Sequence, residues 1–213
     1  MGPRGRARRR ALLDAAAALF VEKGFELTTL SDIVGRAGGS RATLYEHFGD
    51  KEGLFRAMME EHCNRVLEGM AAVQTSSTDL PDKNPEEILT RFGLHIAQIL
   101  IDPETTAILR VLVSEGNRIP DIAQTFFRIG PERTMKQLED CLRGLAKAGR
   151  LHIEQPEAAA EAFTGMMVGN LLVRRLVLPE EAIDMAGVEA YIRQSVRLFL
   201  DGTRLTSPTR RDR

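Results

Sequence analysis

The sequence predicts an all-α protein in which an N-terminal three-helix domain, containing a helix-turn-helix, precedes a larger helical domain. Apolar residues recur at helical spacing along most of the 213-residue chain. Prolines stand at the start of several of these segments, as they do in the first turn of a helix. The only extended-looking piece is LHIEQ at 151–155, which is too short to argue for a sheet. These three observations favour helices throughout.

The first helix is expected at residues 8–23, with an inner stripe formed by Leu12, Ala16, Leu19 and Phe20. Arginines crowd the ten residues at the start of the chain, where no acid occurs. Such an arm either neutralises DNA phosphates or is a solvated terminus, and the sequence leaves both interpretations open.

The next helix is predicted by the apolar spacing of Leu30, Ile33, Val34 and Ala37. Thr29 is placed to cap its N-terminus, and Asp32 follows in the first turn. Gly38 and Gly39 should end it, because glycine enters the left-handed region without a Cβ penalty.

A third, short helix should run from the Ser40 cap to Gly49, and Asp50 should cap the helix after it. Leu44 and Phe48 lie one turn apart and point inward. The outward and flanking positions are Arg41, Ala42, Thr43, Tyr45, Glu46 and His47. A helix this short needs its inner edge packed on its neighbours, which leaves the outer face free for a DNA major groove. A surface helix pair in an all-α protein is the alternative.

Residues 11–59 resemble the DNA-binding region of the TetR/AcrR family of bacterial transcriptional regulators. The resemblance rests on Phe20-x-x-x-Gly24-Phe25, Thr29-x-x-Asp32-Ile33, Ala37-Gly38, Thr43-Leu44-Tyr45-x-x-Phe48 and Lys51-x-x-Leu54. Gly39 departs from the family, which commonly has valine or another apolar residue there. The segment from about 108 to 167 resembles the C-terminal domain of the AefR-like branch.

The chemistry of the side chains assigns a role to each exposed residue of the helix-turn-helix. Arg41 suits bidentate bonds to guanine, whereas Ala42 and Thr43 suit a thymine methyl or a base edge. Phosphate contacts are expected from Thr29, Ser31, Tyr45, His47 and Lys51; the resemblance implies the same role for Thr29, Tyr45 and Lys51. Glu46 is expected to pair with a neighbouring arginine, with a cytosine amino group as the alternative.

We expect a DNA-binding domain with a basic arm at residues 1–52, an effector-binding and dimerisation domain at 53–204, and a disordered tail at 205–213. The resemblance implies a two-fold dimer on a pseudo-palindromic operator and a pocket for an apolar or amphipathic small molecule. The candidate pocket residues are Met59, His62, Val66, Met70, Phe92, His95, Phe126, Phe127, Met166 and Asn170. The candidate dimer residues are Gly165, Gly169, Leu172, Val173, Leu176, Tyr191, Val196 and Phe199.

Charge and motifs set further limits on function. The formal net charge is −1, so overall charge does not indicate nucleic acid. Cys63 and Cys141 lack disulfide or zinc spacing, and the histidines lack metal-ligand spacing. We expect no enzyme activity, no cofactor or metal and no membrane segment, with the protein in the cytoplasm. The alternatives are a helical ligand-binding or protein-interaction module that does not read DNA, and an activator in place of a repressor.

Overall fold

The computed structural model describes residues 2–75, 84–116, 118–178 and 181–203. Within these ranges the chain forms helices and turns, and no strand occurs. The all-α fold class is therefore confirmed. The tail predicted at 205–213 lies outside the described residues.

Ten helices are found in the described part of the chain. Their bounds are α1 Pro3–Lys23, α2 Leu30–Ala37, α3 Arg41–Phe48, α4 Lys51–Thr75, α5 Pro85–Ile101, α6 Pro103–Glu115, α7 Pro120–Ile129, α8 Pro131–Lys147, α9 Pro156–Val177 and α10 Met185–Thr203.

The predicted caps of the helix-turn-helix are confirmed. Thr29 and Asp32 form a reciprocal capping box, in which the Asp32 amide donates to Thr29 Oγ1 at 3.1 Å and the Thr29 amide donates to Asp32 Oδ2 at 3.0 Å. Ser40 Oγ accepts from the Thr43 amide at 3.2 Å, and Asp50 Oδ1 accepts from the Gly53 amide at 2.7 Å. Each cap satisfies amides that a helix start leaves without an intrahelical partner.

The N-terminal arm differs from the expectation, because α1 begins at Pro3 and not at residue 8. Proline at this position suits a helix start, since its fixed φ is already helical and its missing N–H has no partner to lose. The arginine-rich segment is consequently part of a helix. Arg10 pairs with Asp14 at 2.9 Å within α1 and with Glu61 of α4.

The chain divides into two compact units. The first comprises Met1–Val66 and Ile101–Pro131, and the second comprises Leu67–Leu100 and Glu132–Arg213. This division cuts across the predicted limits at 52/53, because α6 and α7 belong to the unit that contains the helix-turn-helix. The functional domain limits remain a prediction.

The core of the first unit surrounds three aromatic rings. The Phe25 centroid lies 5.3 Å from that of Phe20 and 5.4 Å from that of Phe55. From α6, Ile108 packs into the same core and is fully buried. Thr28, also buried, donates to the Gly24 carbonyl at 2.7 Å and so fixes the end of α1.

The second unit has a separate core contributed by α4, α5, α8, α9 and α10. Phe92 and Phe163 are fully buried, and the Phe163 centroid lies 5.2 Å from that of Phe199. The segment 151–155 is a connection and not a strand. It is fixed by the His152 amide, which donates to the Thr203 carbonyl at 2.8 Å.

Candidate DNA-binding interface

The third helix has one buried edge and one exposed face. Leu44 is fully buried in the first unit's core, and Phe48 packs partly against it. Arg41, Ala42 and Tyr45 are exposed on the other side. The two-sided arrangement predicted from the helical wheel is therefore present.

Arg8 of α1 supports the turn that leads into this helix. Its guanidinium donates to the Ala37 carbonyl at 3.0 Å and to the Gly38 carbonyl at 2.9 Å. These carbonyls lie at the end of α2, where the helix offers no amide partner. The sequence pattern did not identify this role, because Arg8 was counted among the arginines of the arm.

Gly39 is explained by the same contact. Its φ is +100°, and a Cβ there would lie 3.3 Å from the Arg8 guanidinium carbon. The guanidinium thus occupies the place where a larger residue would put its side chain.

Arg41 and Ser31 are joined by a hydrogen bond from the guanidinium to Ser31 Oγ. The bond links α2 to α3 on the exposed side. Both residues were predicted to contact DNA, and the structure places them together. The predicted contact of Arg41 with a guanine would require this hydrogen bond to break.

Three residues that were predicted to contact DNA already form interactions within the protein. Thr29 Oγ1 accepts the capping bond, but its proton stays available to a phosphate. Thr43 is half-buried with its hydroxyl 3.1 Å from Ser40 Oγ. The ring of His47, also half-buried, lies 5.9 Å from that of Phe48.

Lys51 is turned towards the protein. Its Nζ donates to the Glu26 carbonyl at 3.2 Å and lies 4.3 Å from the Phe25 ring centroid. Partial burial lowers the pKa of the Lys51 ammonium, and the nearby carboxylates of Glu26 and Glu115 oppose that shift. A phosphate contact requires this side chain to swing outward, so its predicted role stays a prediction.

The predicted pairing of Glu46 with an arginine is wrong for the residues that the structure describes. Glu46 is exposed, and no arginine of the described ranges forms an ion pair with it. The arginines of α2 and α3 have other partners: Arg41 bonds to Ser31, and Arg36 pairs with Glu22 at 2.7 Å. The alternative role of Glu46, accepting from a cytosine amino group, stays a prediction.

The residues predicted to line a ligand pocket are divided between the two units. Met59, His62, Val66, Phe126 and Phe127 belong to the first unit, and Met70, Phe92, His95, Met166 and Asn170 belong to the second. Four of them are core residues of their own unit, namely Met59, Met70, Phe92 and Phe126. Phe127 is 55% exposed. The pocket remains a prediction without a defined set of walls.

A cavity of about 390 Å³ does occur within the second unit, between α9, the segment 181–184 and α10. Of the predicted pocket residues it contains Asn170. Arg174 and Arg175 also line it, and Arg174 Nε donates to Glu181 at 2.8 Å. Its walls combine apolar side chains with charged ones.

The predicted dimer residues separate into exposed and buried groups. Gly165 and Gly169 are exposed, Val173 is 59% exposed and Tyr191 is 52% exposed. Val196 is fully buried and Phe199 is 8% exposed, so their assignment to the surface is wrong. The apolar periodicity of α10 identified its core-facing edge, which carries both residues.

Leu172 and Leu176 are half-buried beside the exposed stripe of α9. A Cβ added at Gly165 or at Gly169 would meet no atom within 4 Å. Packing within the chain therefore does not require glycine at either position.

In the described ranges, none of the helices combines the length and the apolar character that crossing a bilayer demands.

Comparisons with known proteins agree with this geometry. Residues 12–58 match the family described as bacterial regulatory proteins of the TetR family. Residues 87–202 match the family described as AefR-like transcriptional repressor, C-terminal domain. The first match covers the helix-turn-helix, and the second covers most of the remaining chain.

One curated relative is the HTH-type transcriptional repressor Rv1474c of Mycobacterium tuberculosis, which is 27% identical over 196 residues, or 90% of this chain and 94% of the relative. Among solved structures, a TetR-family regulator from Mesorhizobium loti superposes with a TM-score of 0.85 at 24% identity, over 96% of this chain and 100% of its own. The flavonoid-responsive regulator FrrA superposes with a TM-score of 0.68 at 26% identity, over 94% and 98%.

The exposed face of α3, the helix caps and these matches lead to one conclusion. The chain is a DNA-binding transcriptional regulator and not an enzyme, and it belongs to the TetR family, with an AefR-like C-terminal domain.

Proposed function

We propose that this protein is a ligand-responsive repressor that binds a pseudo-palindromic operator as a homodimer and leaves it when a small apolar or amphipathic effector binds. The observation that carries the DNA-binding part is the exposed face of α3, where Arg41, Ala42 and Tyr45 are free of the core. Repression is supported by the AefR-like repressor match and by the relative from M. tuberculosis. Acting on the chromosome places the protein in the cytoplasm.

Sequence-specific binding is tested by selection of duplexes from a random library at two salt concentrations. An enriched inverted repeat supports a dimer that reads sequence. Salt-sensitive binding without an enriched motif contradicts the proposal, because phosphate contacts alone then account for the affinity.

Arg41→Ala is expected to cost about 1–3 kcal/mol and to relax the preference at one base of each half-site. The reason is the loss of a bidentate contact to guanine. Fluorescence anisotropy with the selected operator and single-base variants measures both effects. Arg193→Ala removes the same charge from α10, where Arg193 pairs with Glu189 at 2.6 Å, and should bind like the parent protein. Equal specificity of the Arg41 variant and the parent would show that Arg41 does not contact a base.

The dimer is proposed to form through the exposed stripe of α9 that contains Gly165, Gly169 and Val173. Small residues four apart let helix backbones approach closely, and the chain's own packing does not require them. Gly169→Glu should therefore yield monomers in sedimentation velocity. Replacing a helical glycine favours the helix by about 1 kcal/mol, so unfolding does not explain that result.

Ala148→Glu is the matched control, because Ala148 is exposed just after α8. It should sediment like the parent protein. A Gly169→Glu variant that stays dimeric would place the interface on another surface.

The effector part is tested with the purified protein and its selected operator. Organic extraction followed by mass spectrometry identifies any bound small molecule, which is then added back to the operator complex. Release requires tighter binding to the DNA-incompetent state, by about 1–3 kcal/mol. A reporter gene behind the operator distinguishes repression from activation: deletion of the regulator raises expression for a repressor and lowers it for an activator.

A further inference from the structure

A buried imidazole in the first unit faces two carboxylates. His62 of α4 has a side chain that is 6% exposed. Its Nε2 lies 3.7 Å from Asp102 Oδ2, and its Nδ1 lies 3.5 Å from Glu104 Oε2. One ligand atom from each of these three residues lies within 4.8 Å of the other two. Nε2 is also 2.8 Å from Thr105 Oγ1.

Helix capping explains only part of this cluster. Asp102 caps α6, since its Oδ1 accepts from the Glu104 amide at 3.3 Å, and acids near a helix N-terminus are favoured in general. Capping does not need a second carboxylate on the far side of a buried ring. It also leaves Asp102 Oδ2 directed at His62.

The charges around the ring are unbalanced. Arg65 Nη2 donates to Glu104 Oε2 at 2.6 Å and lies 3.4 Å from His62 Nδ1. In the described part of the chain, Arg65 is the one arginine or lysine in an ion pair with either carboxylate. With the imidazole neutral, two negative charges therefore face one positive charge.

The Glu104 carboxylate is stabilised in its ionised form. The Arg65 guanidinium, whose Nη2 lies 2.6 Å from Glu104 Oε2, favours the ionised form of this carboxylate. An ionised oxygen is the form that a cation binds.

We propose that His62, Asp102 and Glu104 bind one divalent transition-metal ion of the Zn²⁺ type, with Arg65 as its competitor for Glu104. Imidazole nitrogen combined with carboxylate oxygen suits zinc and its neighbours, whereas Mg²⁺ and Ca²⁺ prefer all-oxygen sites. Ligands about 2.0–2.2 Å from a tetrahedral ion lie roughly 3.3–3.6 Å apart. The nitrogen–oxygen separations of 3.7 and 3.5 Å are close to this spacing.

Each carboxylate faces a different ring nitrogen, so a rotation of Glu104 is needed to bring both onto one ion. Arg65 can leave, because its side chain is 41% exposed and its Nη1 already lies 4.0 Å from Glu61. Thr105 Oγ1 or water completes the coordination. Binding would tie α4 to the start of α6 within the unit that carries the helix-turn-helix.

The test uses the full chain after chelator treatment, without DNA, titrated with Zn²⁺ alone in a calorimeter at pH 7.5. One saturable site per chain is expected. Asp102→Asn keeps a capping side chain, and Glu104→Gln keeps the shape; each should weaken binding at least tenfold. Arg65→Met should strengthen binding by a similar factor because the competing cation is gone.

His152→Ala is the control, since this histidine is exposed and lies 3.8 Å from Glu154. It should bind Zn²⁺ like the parent protein. Absence of a saturable site overturns the proposal, and so does binding that is equal in Asp102→Asn, Glu104→Gln and the parent. A His62 ring resonance that does not respond to Zn²⁺ would also overturn it. The assay contains no DNA, so its outcome is independent of the proposed repressor function.

Discussion

Arg8 illustrates how one side chain positions a recognition element that it does not belong to. It binds two carbonyls at the end of α2, and its guanidinium lies against Gly39. Helical periodicity describes which edge of a helix is buried, but it does not report a polar bond between segments thirty residues apart. The sequence therefore predicted the turn at Gly38 and Gly39 and missed what holds it.

Gly39→Val is expected to destabilise the protein by about 1–3 kcal/mol, because valine is strained at φ +100° and its Cβ would press on Arg8. Urea denaturation followed by circular dichroism measures the loss.

Gly35→Ala is the matched control for this change. Gly35 lies inside α2, where a Cβ would meet no atom within 4 Å, so alanine should be neutral or slightly stabilising. Equal stability of the Gly39 variant and the parent would contradict the role given to Arg8.

At the scale of the element, proline and capping residues predicted most helix starts. Pro85, Pro103, Pro120, Pro131 and Pro156 each begin a helix as expected. Pro3 carries the same signal, but the run of arginines after it concealed the helix. The start of α10 at Met185 carries no such proline signal, because it follows Asp184.

The helix α8 offers a pH test of a carboxylate held between cations. Glu139 has a side chain that is 12% exposed; it accepts from Lys136 Nζ at 2.8 Å and from the Arg143 guanidinium. Hydrogen bonds from Lys136 and then Arg143 hold the pKa of Glu139 below its usual value. A lowered folded-state pKa stabilises the fold above the unfolded-state pKa, and this contribution is lost as pH falls through the folded-state value.

Thermal unfolding measured between pH 6 and pH 3 should therefore show a fall in midpoint that Glu139→Gln partly removes. Asp140→Asn serves as the comparison, since Asp140 is 56% exposed and pairs with the same lysine at 3.1 Å. Its pH profile should stay closer to the parent's. Identical profiles for the Glu139 variant and the parent would show that the pair is screened by solvent.

At the scale of the whole molecule, contacts between residues distant in the sequence determine the domain limits, which hydrophobic periodicity did not predict. The helix-turn-helix was predicted to end its domain at residue 52, yet Ile108 and Ile122 from α6 and α7 help to close the core of its unit. Periodicity identifies an apolar edge without naming the partner that covers it. The same limit applies to Val196 and Phe199, whose buried edge was mistaken for an interface.

A fragment of residues 1–66 is therefore expected to be poorly folded. It lacks Ile108 and Ile122, which belong to the same core as Phe55 and are 0% and 2% exposed in the full chain. Burial of such side chains is worth about 1.5–3 kcal/mol each. Circular dichroism and thermal melting of this fragment measure the effect.

Joining residues 101–131 to the fragment through a flexible linker should restore a cooperative transition, because the first unit is then complete. A cooperative, full-height transition from residues 1–66 alone would show that α6 and α7 are dispensable.

The separation of the two sides of α3 has a consequence for how such regulators diversify. Stability depends on Leu44 and the Ser40 cap, whereas Arg41, Ala42 and Glu46 face solvent and support no core. Substitutions at the solvent-facing positions cost little folding free energy, so a duplicated gene can drift to a new operator without passing through an unstable intermediate. A library randomised at these three positions should consequently yield mostly folded proteins with altered DNA preferences.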